Sequence, residues 1–390
     1  MDQQEIRCID VLAPLEKMLR ISGIWPLKHM TFKYKLRTAI SWLFSYVFLA
    51  SMIAEVIHVK GDVEKINEVL CVLTPICGCG SKQVSLIYYK KNFFNILKIL
   101  KSDTFNKGNA NMIQKIMTLT KRGKKIFHGL TFGTLVLYSV IPLFDQKDYP
   151  IPFSFNVGRY KCAVYLFQVA SLAIVAWNLT TIDLLFVDLL ALGTGLANNL
   201  GKKLSNIVGG KKECNDYCKI SAKLNVEEIM NKVSLKSLRE CIKLHISILR
   251  YINDIEAVFS FSVIVHYMTA TLLLCSSLLQ ITTMVDIHST QFIRCSWLAV
   301  NALLQSFLYH WFGNEIIVRT DKISEACYSS SWYKCNVELR KMLLIVMTAS
   351  RKPVGVTIYK FTELSLVSFV TMLRWAYSFT ALVRARYVPD

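Results

Sequence analysis

Few side chains in this 390-residue sequence have the spacing that metal binding or catalysis requires. Cys214 and Cys218 would place two thiols on one helix face, but no second pair of Cys or His lies nearby to complete the four ligands of a structural zinc site. His310 and Glu315 lack the spacing of a zinc-protease helix. We therefore interpret the cysteines as free cytosolic thiols and predict no metal, no cofactor and no enzymatic activity.

Basic side chains offer a second kind of chemistry, the binding of anionic partners. The chain carries 46 Lys and Arg against 27 Asp and Glu, a net charge of +19. The run Lys121–Lys125 could bind nucleic acid. It lies beside an apolar stretch, however, where contact with anionic lipid and membrane sidedness explain it better. The predicted partner is the lipid bilayer, with no nucleic acid.

The charged residues inside apolar stretches include Asp183, Asp188 and Arg374, and a charge there is expensive and marks function by default. Asp183 and Asp188 lie in a stretch twice the length of a membrane span. Its second half therefore leaves the membrane or packs on protein, and the two carboxylates favour leaving. Arg374 lies near the middle of the last apolar stretch. It either pairs with a carboxylate or carbonyl between helices, points sideways from any cation path, or is tolerated in a pore because only some subunits carry it.

Membrane helices must position these residues. Hydrophobic residues make up 53% of the chain and the mean hydropathy is +0.37, which soluble domains do not sustain in runs of span length. The sequence predicts a single all-α membrane domain over residues 1–390 with seven transmembrane helices. The predicted spans are Thr38–Val59, Ile66–Tyr89, Ile126–Phe144, Tyr160–Leu200, Ala257–Val285, Phe292–Phe312 and Val354–Val383.

The charges between these spans predict their orientation. Alternate connecting segments carry 33 Lys and Arg on one side and 7 on the other. The positive-inside rule then places the N-terminus in the cytoplasm and the C-terminus outside the cell. This orientation is the reverse of that of a G-protein-coupled receptor.

The last segment is predicted to be a split helix, because Pro353 interrupts it. Its first part is cytoplasmic, and residues 354–385 form a helix with a small or polar stripe. Such a stripe at membrane depth either lines a watery path or packs on neighbouring helices. The stripe consists of Val367, Thr371, Arg374, Ser378, Ala381 and Ala385.

Two polar regions, 201–256 and 314–353, are predicted to form a cytoplasmic anchor of helices. They have no membrane to bury them, yet the helix Asn336–Ala349 keeps an apolar face that includes Leu339, Leu343 and Val346. We predict that this face holds subunits together.

Several short motifs occur in order along the chain. They are Gly23-Ile24-Trp25-Pro26, Gly313-Asn314-Glu315, Tyr328-Ser-Ser-Ser-Trp332-Tyr333, Arg340-Lys341, Phe361 and Tyr377-Ser378-Phe379. In this order the sequence resembles the insect odorant receptors, specifically so in the last quarter. The resemblance implies a ligand-tuning subunit of a ligand-gated, non-selective cation channel in the plasma membrane of an olfactory sensory neuron. It also implies four subunits around one pore, with the shared odorant co-receptor as partner.

The same resemblance implies the site residues. Ser378, Ala381 and Arg384 match the positions of the family's pore and outer gate, with Arg374 deeper on the same helix. A small volatile odorant would bind in the outer half of the spans, between the second, third, fourth and sixth helices. The candidate ligand-binding residues are Val72, Tyr138, Ile141, Phe167, Ile174, Trp297 and Asn301.

Two alternatives remain at this point. A gustatory receptor of the same superfamily would end in Thr-Tyr, five apolar residues and Gln-Phe, a pattern that Ala376–Ala385 does not match. A secondary transporter would show paired half-helices or internal repeats, and the sequence shows neither.

Overall fold

The structure, a computed structural model, describes residues 6–59, 63–144, 149–153, 158–207, 226–283 and 290–387. Within these residues the chain is almost entirely helical. The helices are α1 (Ala13–Ile21), α2 (Phe32–His58), α3 (Val63–Tyr88), α4 (Lys90–Leu100), α5 (Asp103–Asn106), α6 (Ala110–Phe144), α7 (Lys161–Ser205), α8 (Val226–Thr283), α9 (Thr290–Ser329), α10 (Val337–Ala349) and α11 (Leu366–Tyr387). Short 3₁₀ turns lie at Cys8–Val11, Gly158–Tyr160 and Trp332–Lys334.

Five of the described helices have the length and hydropathy of a membrane span: α2, α3, α7, α8 and α11. The other two predicted spans lie on α6 and α9, which do not meet both criteria within the described residues. Both of these helices pack on α7 within the same bundle. Each predicted span thus corresponds to a described helix in the predicted order, except that the last helix starts later, and the all-α prediction is confirmed.

Helix α7 forms the centre of the molecule. Every residue from Thr180 to Leu192 is buried, because α8, α9 and α6 pack around it. A helix that is apolar on all sides needs such a position. The second half of α7 therefore packs on protein, one of its two predicted alternatives, and the exit of Asp183 and Asp188 from the membrane stays a prediction. Both carboxylates are buried and each pairs with a lysine, as described below.

The N-terminal arm is held to the bundle by Gly23. This glycine has a positive φ of 76°, and a Cβ there would lie 2.7 Å from the backbone nitrogen of Thr38. The close approach lets the Thr38 hydroxyl donate a hydrogen bond to the Gly23 carbonyl at 2.7 Å. This close approach explains why the motif before the first span has a glycine at position 23.

The last segment differs from its prediction over twelve residues. The break at Pro353 is confirmed, since α10 ends at Ala349, but the chain does not resume a helix at Val354. Strands β1 (Thr357–Ile358) and β2 (Thr362–Glu363) instead form a short antiparallel hairpin. Tyr359 and Lys360 make its turn at positive φ. The membrane helix begins only at Leu366 and is about 33 Å long.

The hairpin rests on α9 through two glycines. A Cβ at Gly313 would clash with the carbonyl oxygen of Leu364, and one at Gly355 would clash with the side chain of Ile317. Neither position has room for a side chain. Backbone therefore packs directly against helix α9, which fixes where α11 enters the membrane.

The anchor region is only partly described, because residues 208–225, including Cys214 and Cys218, lie outside the described part. Helix α10 begins at Asn336, whose side chain caps the backbone N–H of Leu339 at 2.9 Å. Leu339, Leu343 and Val346 are buried within their own chain, against α8 and α9. The prediction that this face meets another subunit was therefore wrong.

Orientation across the membrane stays a prediction, and Cys162 offers a test. This thiol is exposed at the start of α7, on the side predicted to be extracellular. On the opposite side Cys8 is buried, and burial raises the pKa of its thiol to about 12, which keeps it unreactive. We expect a membrane-impermeant maleimide to label intact cells at Cys162.

Cys162→Ser supplies the control for this labelling. The variant should lose the label on intact cells while its surface expression is unchanged. Labelling that requires permeabilised cells would place the start of α7 in the cytoplasm and reverse the predicted orientation.

Candidate functional site

A cavity lies in the membrane bundle between α3, α6, α7, α8 and α9. Its volume is about 120 Å³. At roughly 10–15 Å³ for each water-sized sphere, this is room for a molecule of about ten heavy atoms. Apolar side chains make most of the wall: Val72, Ile76, Phe127, Tyr138, Leu172, Val175, Leu179, Leu273 and Leu298. Such a wall suits a small apolar molecule.

The structure places three of the seven predicted ligand residues in this cavity. Val72, Tyr138 and Asn301 line it. Phe167 lies elsewhere and stacks on Phe44, with ring centroids 5.6 Å apart. The other three predicted residues are Ile174, which is half-buried outside the lining, Ile141, whose side chain is outside the described part, and Trp297, which lies behind the lining.

Trp297 supports the cavity wall without forming it. Its indole Nε1–H donates to the Leu130 carbonyl at 3.2 Å and the Thr134 hydroxyl at 3.1 Å. The same hydroxyl accepts the Asn301 amide at 3.4 Å. The ring lies so close to Gly133 that a Cβ there would clash with it. Trp297 therefore fixes α9 to α6 and orients Asn301 toward the cavity.

A charged pair lies next to the cavity, in contact with the lining residue Tyr138. The Arg294 guanidinium lies over the Tyr138 ring at 5.6 Å and pairs with Glu68 at 3.4 Å. Cation–π and ionic contacts of this kind are stronger when they are shielded from water, and Arg294 is buried. This pair joins α3 to α9 next to the lining residue Tyr138.

One end of the cavity is a buried ionic network around Asp183. Its carboxylate pairs with Lys82 on α3 and accepts the Tyr309 hydroxyl at 2.6 Å. The Gln305 amide also donates to it. Asp183 and Gln305 both line the cavity, so a bound molecule would touch the network directly. These partners compensate the charge of Asp183, whose burial at membrane depth would otherwise cost too much free energy.

Asp183 could be singled out from the sequence, but its partners Lys82 and Gln305 were missed. A lysine inside a predicted span was the observable indication, because a buried lysine needs a carboxylate partner. Which carboxylate it meets depends on how α3 and α7 pack, which the sequence pattern alone does not give.

The network continues from the cavity toward α11. The Tyr309 ring contacts His266 with centroids 4.7 Å apart, and His266 Nε2 lies 3.4 Å from the Ser306 hydroxyl. His310, next to Tyr309, lies 5.5 Å from the ring of Phe369 on α11. A continuous set of packed rings and hydrogen bonds therefore joins the Asp183 end of the cavity to α11.

Helix α11 packs on its own chain along one face only. Met372, Ala376 and Thr380 are buried against α8 and α9, and the Thr380 hydroxyl donates to the Cys275 carbonyl at 3.3 Å. At about 100° per residue, the predicted stripe lies about 140–220° away from Ala376. Its members Arg374, Ser378, Ala381 and Ala385 are all exposed, as is Arg384 at its edge. In the described part of the chain Arg374 forms no ion pair.

Comparisons with known proteins agree with this architecture. A family model described as 7tm Odorant receptor matches residues 62–377. Odorant receptor Or1 of Anopheles gambiae is 22% identical over 94% of this chain and 93% of its own length. Odorant receptor 67c of Drosophila melanogaster is 25% identical over 40% of this chain, and the match spans only 38% of the fly protein.

A solved structure has the same fold. The insect olfactory receptor OR5 from Machilis hrabei, in complex with eugenol, superposes with a TM-score of 0.80. The superposition covers 96% of this chain and 97% of the other at 14% identity.

The apolar helices define the class of the protein as a multi-pass membrane protein with a cavity among its helices. Within that class, the chain belongs to the 7tm odorant receptor family, whose model covers most of its length. The match is to odorant receptors, so the gustatory and transporter alternatives lose their support.

Proposed function

We propose that this odorant receptor is a ligand-tuning subunit of an odorant-gated, non-selective cation channel in the plasma membrane of an olfactory sensory neuron. It assembles with the shared co-receptor as a heterotetramer, with its N-terminus in the cytoplasm. The odorant occupies the cavity beside Val72, Tyr138 and Asn301, and α11 lines the pore with Arg374, Ser378, Ala381 and Arg384.

The observation that carries the proposal is the double role of α9. Gln305 lines the cavity and donates to Asp183, while His310, little more than one turn further along α9, contacts Phe369 of α11. A molecule that displaces Gln305 would disturb the same helix that supports the pore helix. Ligand binding and gating are thus coupled through one rigid element with two contacts.

The cavity also indicates a class of odorant. Its wall is mainly apolar, but Asn301, Thr134, Gln305 and Asp183 contribute polar groups on one side. An odorant of about ten heavy atoms with one hydroxyl or carbonyl group would match this distribution. The Machilis hrabei receptor was solved in complex with eugenol, a small phenol of this general kind.

The subunit contact is proposed to use the outer face of α10. Val337, Leu344 and Ile345 are 61%, 48% and 67% exposed, whereas the inner face is buried in its own chain. Exposed apolar side chains on a cytoplasmic helix favour a protein partner.

The experiment that tests the proposal is current recording from cells that express this chain with and without a co-receptor, over a panel of small alcohols, ketones and phenols. Odorant-evoked cation current is expected only with the co-receptor. Gln305→Leu and Asn301→Ala should shift the concentration dependence, since both alter the cavity wall. Phe167→Leu, which lies outside the cavity, is the matched control. Equal effects of all three variants would argue against this cavity as the odorant site.

A further inference from the structure

A second and larger depression lies on the outside of the bundle, between the N-terminal arm, α6 and α7. Its volume is about 810 Å³. One half is apolar and includes Phe132, Leu135, Ala173 and Trp177. Phe132 is 68% exposed and Trp177 40% exposed, although both are large apolar side chains. This half therefore faces the hydrocarbon of the bilayer.

The other half of the groove is basic. Lys121, Lys124 and Lys125 lie on its rim. Lys124 pairs with buried Asp188 and donates to the Val11 carbonyl at 3.3 Å, so its charge is compensated. Lys121 and Lys125 are exposed, and neither forms an ion pair within the described residues. Two ammonium groups are thus available at the mouth of an apolar groove.

Among the described residues, the opposite rim carries one acidic group, Asp10. Its carboxylate already accepts the backbone N–H of Arg7 at 2.8 Å. The groove has two available lysines and this one carboxylate, so its net charge is positive. The groove therefore complements an anion attached to an apolar tail.

His128 lies between the two halves. Its Nε2 is buried and has no hydrogen-bond partner in the part of the chain that the structure describes. On α6 it lies about 4.5 Å inward from Lys125, and Leu135 lies about 15 Å inward. The second distance matches half of a hydrocarbon core of about 30 Å. The order of groups along α6 is then cationic, polar and apolar over the depth of one leaflet.

We propose that this groove binds an anionic glycerophospholipid of the adjacent leaflet. The phosphate lies between Lys121 and Lys125, the glycerol ester region meets the unpartnered imidazole of His128, and one acyl chain runs along Phe132 and Trp177. A zwitterionic lipid fits less well, because its own cation would face the two lysines.

The lipid site and the odorant cavity share one wall. Thr131 lines both, and its hydroxyl forms a 2.8 Å hydrogen bond with Thr180 that ties α6 to α7. A lipid in the groove packs against the outer side of this wall. We therefore expect anionic lipid both to stabilise the receptor and to change its sensitivity to odorant.

The test uses the purified receptor complex in nanodiscs of phosphatidylcholine, with or without phosphatidylserine. Phosphatidylserine is expected to raise the midpoint of thermal unfolding in the parent, because a ligand that binds only the folded state stabilises it. Lys121→Gln/Lys125→Gln should at least halve this rise. Lys90→Gln/Lys91→Gln removes the same charge from exposed positions on α4 and should leave the rise unchanged.

A second measurement examines the apolar half directly. Ala173→Trp is expected to fill the groove and to reduce the amount of phosphatidylserine that co-purifies with the complex, as counted by native mass spectrometry. Soluble glycerol phosphate should give no thermal shift, since it lacks the acyl chain. An equal unfolding midpoint with and without phosphatidylserine would overturn the proposal. So would an unchanged shift in Lys121→Gln/Lys125→Gln together with an unchanged lipid count in Ala173→Trp.

Discussion

Replacing Asp183 by alanine is expected to abolish odorant-evoked current and to lower the yield of folded receptor. The change leaves Lys82 buried without its carboxylate and removes the acceptor for Tyr309 and Gln305. Breaking a buried ion pair from one side costs about 3–5 kcal/mol. A free energy of unfolding of about 5–15 kcal/mol does not easily absorb that loss.

The measurement is surface expression and monodispersity of the solubilised receptor, followed by current at matched expression. Lys82→Met should fail in the same way. The double variant Lys82→Met/Asp183→Asn should recover part of the folded yield, because no charge is then left alone in the core.

An exposed ion pair provides the matched control for this network. Arg239 and Glu338 lie 3.5 Å apart, and their side chains are 60% and 59% exposed. Glu338→Gln is expected to change stability by less than about 1 kcal/mol. If Asp183→Ala expressed and conducted as well as Glu338→Gln, the network would have no role in folding or gating.

Replacing Ala381 by tryptophan is the second change from which we expect a large effect, namely loss of current. Ala381 is exposed on the face of α11 opposite Ala376, near the end of the helix. A small apolar residue there would form part of a constriction that closes when it loses water. Tryptophan should block the path without altering odorant binding, whereas Ala381→Ser should raise the resting leak.

Phe379 is the control for the pore assignment. It is exposed but lies on the flank of α11, about 60° from Ala376, so Phe379→Leu should conduct like the parent. Cation current and relative permeability, measured at matched surface expression, separate the two positions. Normal current in Ala381→Trp together with altered permeability in Phe379→Leu would mean that the pore face is on the other side of the helix.

The positions of the membrane helices could be predicted from the sequence, because an apolar run long enough to cross a bilayer rarely forms any other structure. The start of α11 could not. Residues 354–365 are apolar enough to extend a helix, but they instead form a hairpin, since Gly313 and Gly355 let the backbone settle on α9. This contact joins residues far apart in sequence. Hydrophobic periodicity reports local structure only and therefore does not predict it.

The candidate site was predictable to the extent that it depends on one helix at a time. Val72, Tyr138 and Asn301 face the cavity as expected. Phe167 was chosen for its aromatic ring, yet that ring serves the contact with α2 through Phe44. The pairing of Lys82 with Asp183 depends on the packing of α3 on α7, so it required the tertiary structure.

The unbroken length of α9 has a mechanical consequence. From Thr290 to Ser329 it forms one rod of about 60 Å, clamped near its centre where Tyr309 binds Asp183. Asn301 lies about 12 Å to one side of that fulcrum and Ser329 about 30 Å to the other. A stiff rod pivoting there multiplies displacement by about 2.5, so a shift of about 0.4 Å beside the odorant becomes about 1 Å at the anchor. Leverage of this kind would let an odorant of about ten heavy atoms move helices that it never touches.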